Sequence, residues 1–260
     1  MRTWRAWSYP ALFAHRGGGT LAPENTLAGL EAAFQDRYTA VEFDVKLSRD
    51  NVIFLMHDDS LDRTTNGVGL FKDLDAIDIE QLDAGSWMAS FHCEGAPAVA
   101  RVPRLSAAMA FLHAHGMNAN IEIKPCNGRE AETGHAVALL INEITRTHPL
   151  KPLLSSFSVE ALAAARKSAP NLPIGLLVEG YKPADDATLY DLNCVSLHAK
   201  ACHITQEMVS QLHQRDTRVM AYTVNDPSQA KALFALGVDG IFTDRLDAMA
   251  SAFPKGLAAH

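Results

Sequence analysis

Two hydrophobic patterns alternate along this chain. Short apolar runs that suit buried strands fall at residues 11–14, 40–47, 119–123, 153–157, 173–178, 194–197, 218–223 and 240–243. Between them lie stretches of helical character at 27–34, 106–115, 130–148, 159–168, 184–192, 205–215, 227–236 and 246–252. Either Asn25 or Thr26 is placed to cap the first helix, and Gly116 to end the second. Regular alternation of strand and helix predicts a parallel sheet with helical crossovers. Eight such units predict closure into a TIM (β/α)8 barrel, with an open doubly wound sheet as the runner-up if one strand is miscounted.

The pattern breaks once. After the second strand come turn residues 48–51 and a further apolar run, 52–56. About 60–104 then follows without regular periodicity and with many Gly and Pro, partly helical around 74–82. A connection of that length inside one domain reads as an insertion. The expected organisation is one barrel domain over 1–260 with this insertion after strand two.

The chemistry gathers where the pattern breaks. Side chains in a strand alternate with period two, so Glu42 and Asp44 share a face while Val41, Phe43 and Val45 take the other. Two carboxylates held together repel unless a cation lies between them, which outlines a hard-metal site. The run after the turn delivers His57, a candidate proton-transfer group.

The barrel reading extends this picture, because active sites of such barrels lie at the C-terminal ends of the strands. His15 and Arg16 follow strand one, and Glu122 and Lys124 end strand three; Ser155, Glu179, His198, Asn225 and Asp244 lie further round. An ion pair of Glu42 and Asp44 with Arg16 or Lys124 is the plain alternative to a metal. Adding Glu122 weakens it, since three carboxylates exceed what two cations neutralise in low dielectric. Asp58, Asp59 and Asn66 read as turn formers. Gly17–Gly18–Gly19 reads as a tight loop or a phosphate cradle. His92, His113, His115, His135, His148, His203, His213 and His260 read as surface or satisfied histidines. The set suggests metal-assisted phosphoryl chemistry, with two histidines handling protons in an in-line displacement.

Composition narrows the partners. With 48% hydrophobic and 20% charged residues, this is the profile of an ordinary globular protein. A formal charge of -7 argues against a nucleic-acid partner. The four cysteines, Cys93, Cys126, Cys194 and Cys202, show no C-x-x-C spacing and suit reduced thiols. The N-terminal residues lack the apolar core of a signal peptide, and no apolar run approaches a membrane span. A cytoplasmic location without stable membrane insertion is the expectation. The oligomeric state stays open, a homodimer among the options.

These motifs resemble the glycerophosphodiester phosphodiesterases of the cytosolic bacterial type. The resemblance rests on His15-Arg-Gly-Gly18 with Pro23-Glu-Asn-Thr26, Glu42-x-Asp44, His57-Asp58, Arg63-Thr-Thr-Asn-Gly67, Glu122-Ile-Lys124, Ser156-Phe157, Thr223-Val-Asn225 and Gly237-Val-Asp-Gly-Ile-Phe-Thr-Asp244. It implies a TIM barrel enzyme of glycerol and lipid metabolism. It implies hydrolysis of deacylated phospholipids, such as glycerophosphocholine or glycerophosphoethanolamine, to sn-glycerol 3-phosphate and an alcohol. Carried over by motif, Glu42, Asp44 and Glu122 bind one divalent cation, Mg²⁺ or Ca²⁺. His15 and His57 form the acid-base pair, and Arg16 and Lys124 contact phosphate. In the family picture the glycerol hydroxyl can itself attack phosphorus. Tyr222 replaces the tryptophan common before Thr-Val-Asn and keeps an aromatic wall. Nothing motif-like surrounds Glu179 or His198, whose roles stay open.

Three rivals remain. A lysophospholipase D or sphingomyelinase D-like enzyme would share the barrel but needs an apolar approach for acyl chains. A non-catalytic binding module should have lost motif residues, and these are present. A Schiff-base role for Lys124 needs a neutral lysine, which three nearby carboxylates oppose.

Overall fold

Alternation of side chains decides which face of each strand enters the centre of the fold. In β1 (Leu12–Ala14) Phe13 points one way and Leu12 and Ala14 the other; in β2 (Ala40–Leu47) Ala40, Glu42, Asp44 and Lys46 oppose Val41, Phe43, Val45 and Leu47. The structure is a computed structural model describing residues 7–88 and 100–255. Cys93, His92, His260 and the N-terminal residues 1–6 lie outside the described residues.

The remaining parallel strands are β4 (Asn118–Ile123), β5 (Leu153–Ser156), β6 (Ile174–Val178), β7 (Ser196–Lys200), β8 (Arg218–Tyr222) and β9 (Gly240–Thr243). They run in the order β1-β9-β8-β7-β6-β5-β4-β2, and Ala14 pairs with Val41 to close the ring. The expected TIM barrel is therefore the observed fold, and the open sheet is excluded. β3 (Ile53–Leu55) pairs antiparallel with the end of β2, outside the ring. It is the extension read from the apolar run after the turn.

Helices α1 (Leu27–Gln35), α3 (Leu105–His115), α4 (Glu130–Thr147), α5 (Val159–Ser168), α6 (Asp185–Asp191), α7 (Gln206–His213), α8 (Pro227–Ala235) and α9 (Leu246–Ala252) follow the strands. Their caps are local. Thr26 accepts from the Gly29 amide, so Thr26, not Asn25, caps α1. Gly116 takes φ 64°, the left-handed value that ends α3. The outward faces of the strands and the inward stripes of the helices share one large apolar cluster, including Leu30, Val41, Phe43, Ile121, Val137, Leu162, Leu197 and Ile241. Strand-to-helix burial of this kind contributes about 25 cal/mol per Å² of apolar surface.

The lumen is filled by two kinds of side chain. Phe13, Ala40, Leu153, Met220 and Phe242 form an apolar cluster. Asn120, Ser155, Ser196 and His198 form a buried polar tier beside it, with His198 in register with Met220. Here the structure corrects the sequence reading, because β7 continues to Lys200 and places His198 inside the barrel, not at its mouth. Gly175 makes room for it: a Cβ there would meet His198 Nε2 and Ser196 Oγ at 2.6 Å.

The segment between β3 and α3 contains a single turn of helix at Phe71–Asp73 and the short α2 (Ala76–Ile79), which is the partial helicity expected around 74–82. Its own apolar cluster joins Phe54, Met56, Leu61, Phe71, Ile79 and Val102. This cluster sets the loop carrying His57 against the mouth of the barrel. Among the described residues, no helix is long and apolar enough to cross a membrane.

Candidate active site

Register brings the acidic residues together. Asp44 of β2 lies beside Glu122 of β4 in the parallel ladder, and Glu42 sits one inward position below Asp44. Oxygens of the three carboxylates lie within 4.8 Å of one another. All three side chains are buried or nearly so.

Two residues in the left-handed region of backbone space serve this cluster, Arg16 at φ 51° and Asn25 at φ 55°. The Arg16 amide donates to Glu42 Oε2 at 2.9 Å. Asn25 donates from Nδ2 to Asp44 Oδ2 at 2.9 Å and accepts the Asp44 amide at 3.0 Å. Non-glycine residues adopt this conformation rarely and at a cost of about 1 kcal/mol or more. The positions are held because their hydrogen bonds hold the carboxylates.

The neighbouring glycines do not cradle phosphate. The amides of Gly17, Gly18, Gly19 and Thr20 donate to the carbonyls of Glu42, Arg16, His15 and Asp244. A Cβ on Gly19 would meet the Asp244 carbonyl oxygen at 2.3 Å. The tight-loop reading is the correct one.

Cations surround the carboxylates unevenly. Lys124 Nζ lies 3.1 Å from Glu122 and 3.6 Å from Asp44, and Arg16 Nε is 3.8 Å from Asp44. Burial works against the Asp44 anion, but Lys124, His57 and Arg16 outweigh it and hold its carboxyl below the usual range. Burial, followed by the Asp44 charge, pushes Glu42 up to about 8 and Glu122 up to about 7. Glu42 Oε1 has no hydrogen-bond partner among the described residues. The two protein cations thus do not suffice to keep all three carboxylates ionised, and one buried oxygen of the cluster is orphaned. Hard oxygen donors in this arrangement can hold a divalent cation and suit Mg²⁺ or Ca²⁺ alike.

Each candidate histidine is gripped at Nδ1 by an aspartate. His15 Nδ1 lies 2.6 Å from Asp244 Oδ1, and His57 Nδ1 lies 2.5 Å from Asp58 Oδ1. A carboxylate only accepts, so Nδ1 carries the proton in both rings and Nε2 is the basic nitrogen of the neutral ring. Nε2 of His15 is 3.7 Å from Glu42 Oε2. Burial lowers the pKa of His15, but the Asp244 hydrogen bond and the Glu42 charge outweigh it and raise the value above normal. For His57 burial prevails and the value falls.

These aspartates were only partly visible in the sequence. Asp58 reads there as a turn former, as does Asp59. In the structure Asp58 binds His57 and Arg63, and Asp59 accepts from the buried Lys46 at 2.5 Å. Asp244 reads there as a strand-end residue, and its pairing with His15 spans 229 positions in sequence. Asn225 completes that pair by donating to Asp244 Oδ2.

His15, Arg16, Glu42, Asp44, His57, Glu122, Lys124 and Tyr222 all line one cavity of about 290 Å³ at the strand ends. Phe157 and Tyr222 form its aromatic wall, with ring centroids 6.0 Å apart. The Tyr222 hydroxyl donates to the Val178 carbonyl, so that polar end is already engaged. Glu179 lies at the exposed rim, 3.9 Å from Lys200. A larger cavity, about 780 Å³, opens near Tyr9, Lys151 and Arg218 at the strand starts. It contains neither the carboxylate cluster nor the paired histidines, and chemistry rather than volume selects the mouth.

With this geometry in place, residues 15–248 match the model of the glycerophosphoryl diester phosphodiesterase family. The chain belongs to that family. It is 32% identical over 244 residues to a glycerophosphodiester phosphodiesterase of Bacillus subtilis strain 168, covering 90% of this chain and 83% of that protein. It is 30% identical over 246 residues to a glycerophosphodiester phosphodiesterase of Caldanaerobacter subterraneus, covering 94% and 98%. In structure it is similar to a phosphodiesterase of Oleispira antarctica solved with the product sn-glycerol-3-phosphate. The TM-score is 0.86 at 36% identity, with 95% of this chain and 97% of that chain covered. The activity of the present family member is accordingly that of a glycerophosphodiester phosphodiesterase, a phosphodiester hydrolase.

Proposed function

We propose that the enzyme hydrolyses deacylated phospholipids, such as glycerophosphocholine or glycerophosphoethanolamine, to sn-glycerol 3-phosphate and the free alcohol. The observation that carries the mechanism is the pair of histidines, each bound to an aspartate through Nδ1, beside three carboxylates in one cavity. The product seen in the Oleispira relative supports the glycerol half of the substrate. The proposal treats the chain as one catalytic domain with residues 60–104 as its insertion.

In this mechanism Glu42, Asp44 and Glu122 hold one divalent cation, Mg²⁺ or Ca²⁺. When bound, it supplies Lewis-acid polarisation of a phosphoryl oxygen and balances the carboxylate charge. Arg16 and Lys124 hold the non-bridging oxygens. Nε of Arg16 is buried without a hydrogen-bond partner among the described residues, which leaves a donor for phosphate.

The opposite shifts of the two histidines support giving them different roles. His57, pushed toward the neutral form, takes the proton of the attacking hydroxyl. His15, held toward the charged form chiefly by Asp244, gives its proton to the departing head-group oxygen. One P–O bond forms and the opposite one breaks, with a proton entering at Nε2 of His57 and leaving from Nε2 of His15; where the glycerol hydroxyl is the attacking group, water then opens the cyclic phosphate with the two histidines exchanging roles. Alkoxides leave poorly, so this acid assistance is worth about 10²–10⁴-fold. Phe157 and Tyr222 face the organic part of the substrate and exclude water from one side.

The deciding experiment measures sn-glycerol 3-phosphate release from glycerophosphocholine with Mg²⁺, with Ca²⁺, and after EDTA. Release with either cation and its loss in EDTA are expected. Metal-independent release would overturn the carboxylate assignment. Turnover of lysophosphatidylcholine in place of glycerophosphocholine would overturn the substrate.

A further inference from the structure

Arg63 belongs to a motif that the catalytic scheme leaves unused. It sits beyond His57, in the turn that opens the insertion. Its guanidinium grips two carboxylates from different loops. Nε and Nη2 donate to Asp58 at 2.6 and 3.1 Å. Nη1 and Nη2 donate to Glu24 at 2.7 Å each.

Both carboxylates lead on to the site. Asp58 holds Nδ1 of His57. Glu24 accepts from Nη1 of Arg16 at 2.8 Å. The result is one connected line across the mouth: His57, Asp58, Arg63, Glu24, Arg16. Its charges balance, with two arginines against two carboxylates while His57 is neutral.

We propose that Arg63 is a positioning residue for the reaction, fixing the ring of His57 through Asp58 and the guanidinium of Arg16 through Glu24. This rests on the roles given above to His57 and Arg16. The planar fork of arginine suits two bidentate partners, whereas a lysine ammonium is a single point charge. Stability does not explain the arrangement, because Arg63 is 44% exposed. Ion pairs this open contribute little to stability. Position is where the effect should fall, since displacing a reacting group by about 1 Å can cost about 10²-fold in rate.

Removing Arg63 also changes the charge that His57 meets. The groups acting on His57 are Asp44 from β2, Arg16 after β1, Lys124 after β4 and its neighbour Asp58. Hydrogen bonds from Arg63, ahead of all other causes, hold the Asp58 carboxyl below its usual range. Without Arg63 the Asp58 charge falls on the imidazole alone and favours imidazolium.

The test is the pH profile of kcat/KM for glycerophosphocholine at saturating divalent cation, with thermal unfolding measured alongside. Arg63→Met should lower kcat/KM by about 10²-fold and move the acidic limb to higher pH. Arg63→Lys keeps the charge and the alkyl stem, so it tests the fork even where Arg63→Met folds poorly. It should leave the limb in place and lose about 10-fold. In an Asp58→Asn background, Arg63→Met should no longer move the limb. Wild-type kcat/KM and an unmoved limb in Arg63→Met, beside an inactive His57→Ala, would overturn this inference alone. Equal rate losses in both Arg63 variants, with lower melting temperatures and no limb movement, would overturn it too. Full turnover in His57→Ala would overturn the acid-base reading and this inference with it.

Discussion

His198 and His15 face the same lumen from two heights, and the fold treats them in opposite ways. His198 lies in the polar tier, fully buried, with Nε2 on Ser196 Oγ at 2.8 Å and Nδ1 without a hydrogen-bond partner among the described residues. No carboxylate offsets its burial, and its pKa is driven down to about 3. His15 is part-buried, and Asp244 and Glu42 more than offset that burial. The difference shows what the mouth adds to the barrel. Burial alone holds the His198 ring neutral, whereas the carboxylates beside His15 restore its charged form.

The sharpest break of this contrast is to remove the rings at the mouth. His15→Ala and His57→Ala should each lower kcat by about 10²–10⁴-fold, the usual contribution of a positioned acid or base. Both rings are part-exposed, so melting temperatures should stay close to the parent value. Steady-state release of sn-glycerol 3-phosphate together with circular dichroism checks this. A variant retaining the parent kcat would show that its ring handles no proton.

A finer break keeps the ring and changes its partner. Asp244 accepts from His15 Nδ1 on one oxygen and from Asn225 Nδ2 on the other. In Asp244→Asn one of those two oxygens becomes an NH₂ group, so one contact turns into donor against donor. The ring then loses its anchor or its tautomer. Kcat should fall by about 10–10²-fold, the usual cost of losing such an outer partner. His15→Ala and the double variant with Asp244→Asn should be equally slow, because Asp244 acts through His15. Additive losses in the double variant would give Asp244 a separate role.

What the sequence conveyed follows the same division. Period-two alternation and the strand-helix rhythm sufficed to count the barrel strands, because each signal is local. Glu42, Asp44 and Glu122 were legible as a cluster because strand ends of a closed barrel converge on one mouth. Pairings through loops were not. Asp58 with Arg63 and Arg63 with Glu24 are made by loop residues, and Asn25 with Asp44 depends on the left-handed backbone at Asn25, none of which periodicity announces. Asp244 with His15 depends on β1 lying beside β9, which closure implies without fixing side-chain reach. His198 reads as a mouth residue because strand ends carry weak signals, and the three residues by which β7 runs past 197 place it in the lumen.

The smallest effect tests the other half of the comparison, the ring with no carboxylate. The folded state keeps His198 neutral down to about pH 3, whereas the unfolded chain takes up that proton near the ordinary value of 6.5. Between these values the unfolded state binds more protons, so stability falls as pH falls. The contribution is complete above pH 6.5 and is lost progressively on acidification toward pH 3. At about 1.4 kcal/mol per pH unit, the loss between pH 6.5 and about pH 5 amounts to about 2 kcal/mol. His198→Gln removes the titration and keeps a polar side chain beside Ser196. Urea unfolding at neutral pH and at about pH 5 should therefore show the parent losing about 2 kcal/mol more than the variant. The carboxylates at the mouth act alike in both proteins and cancel in that difference. Equal losses would mean that His198 gains its proton in the folded barrel, and that the polar tier is wet enough to carry the charge.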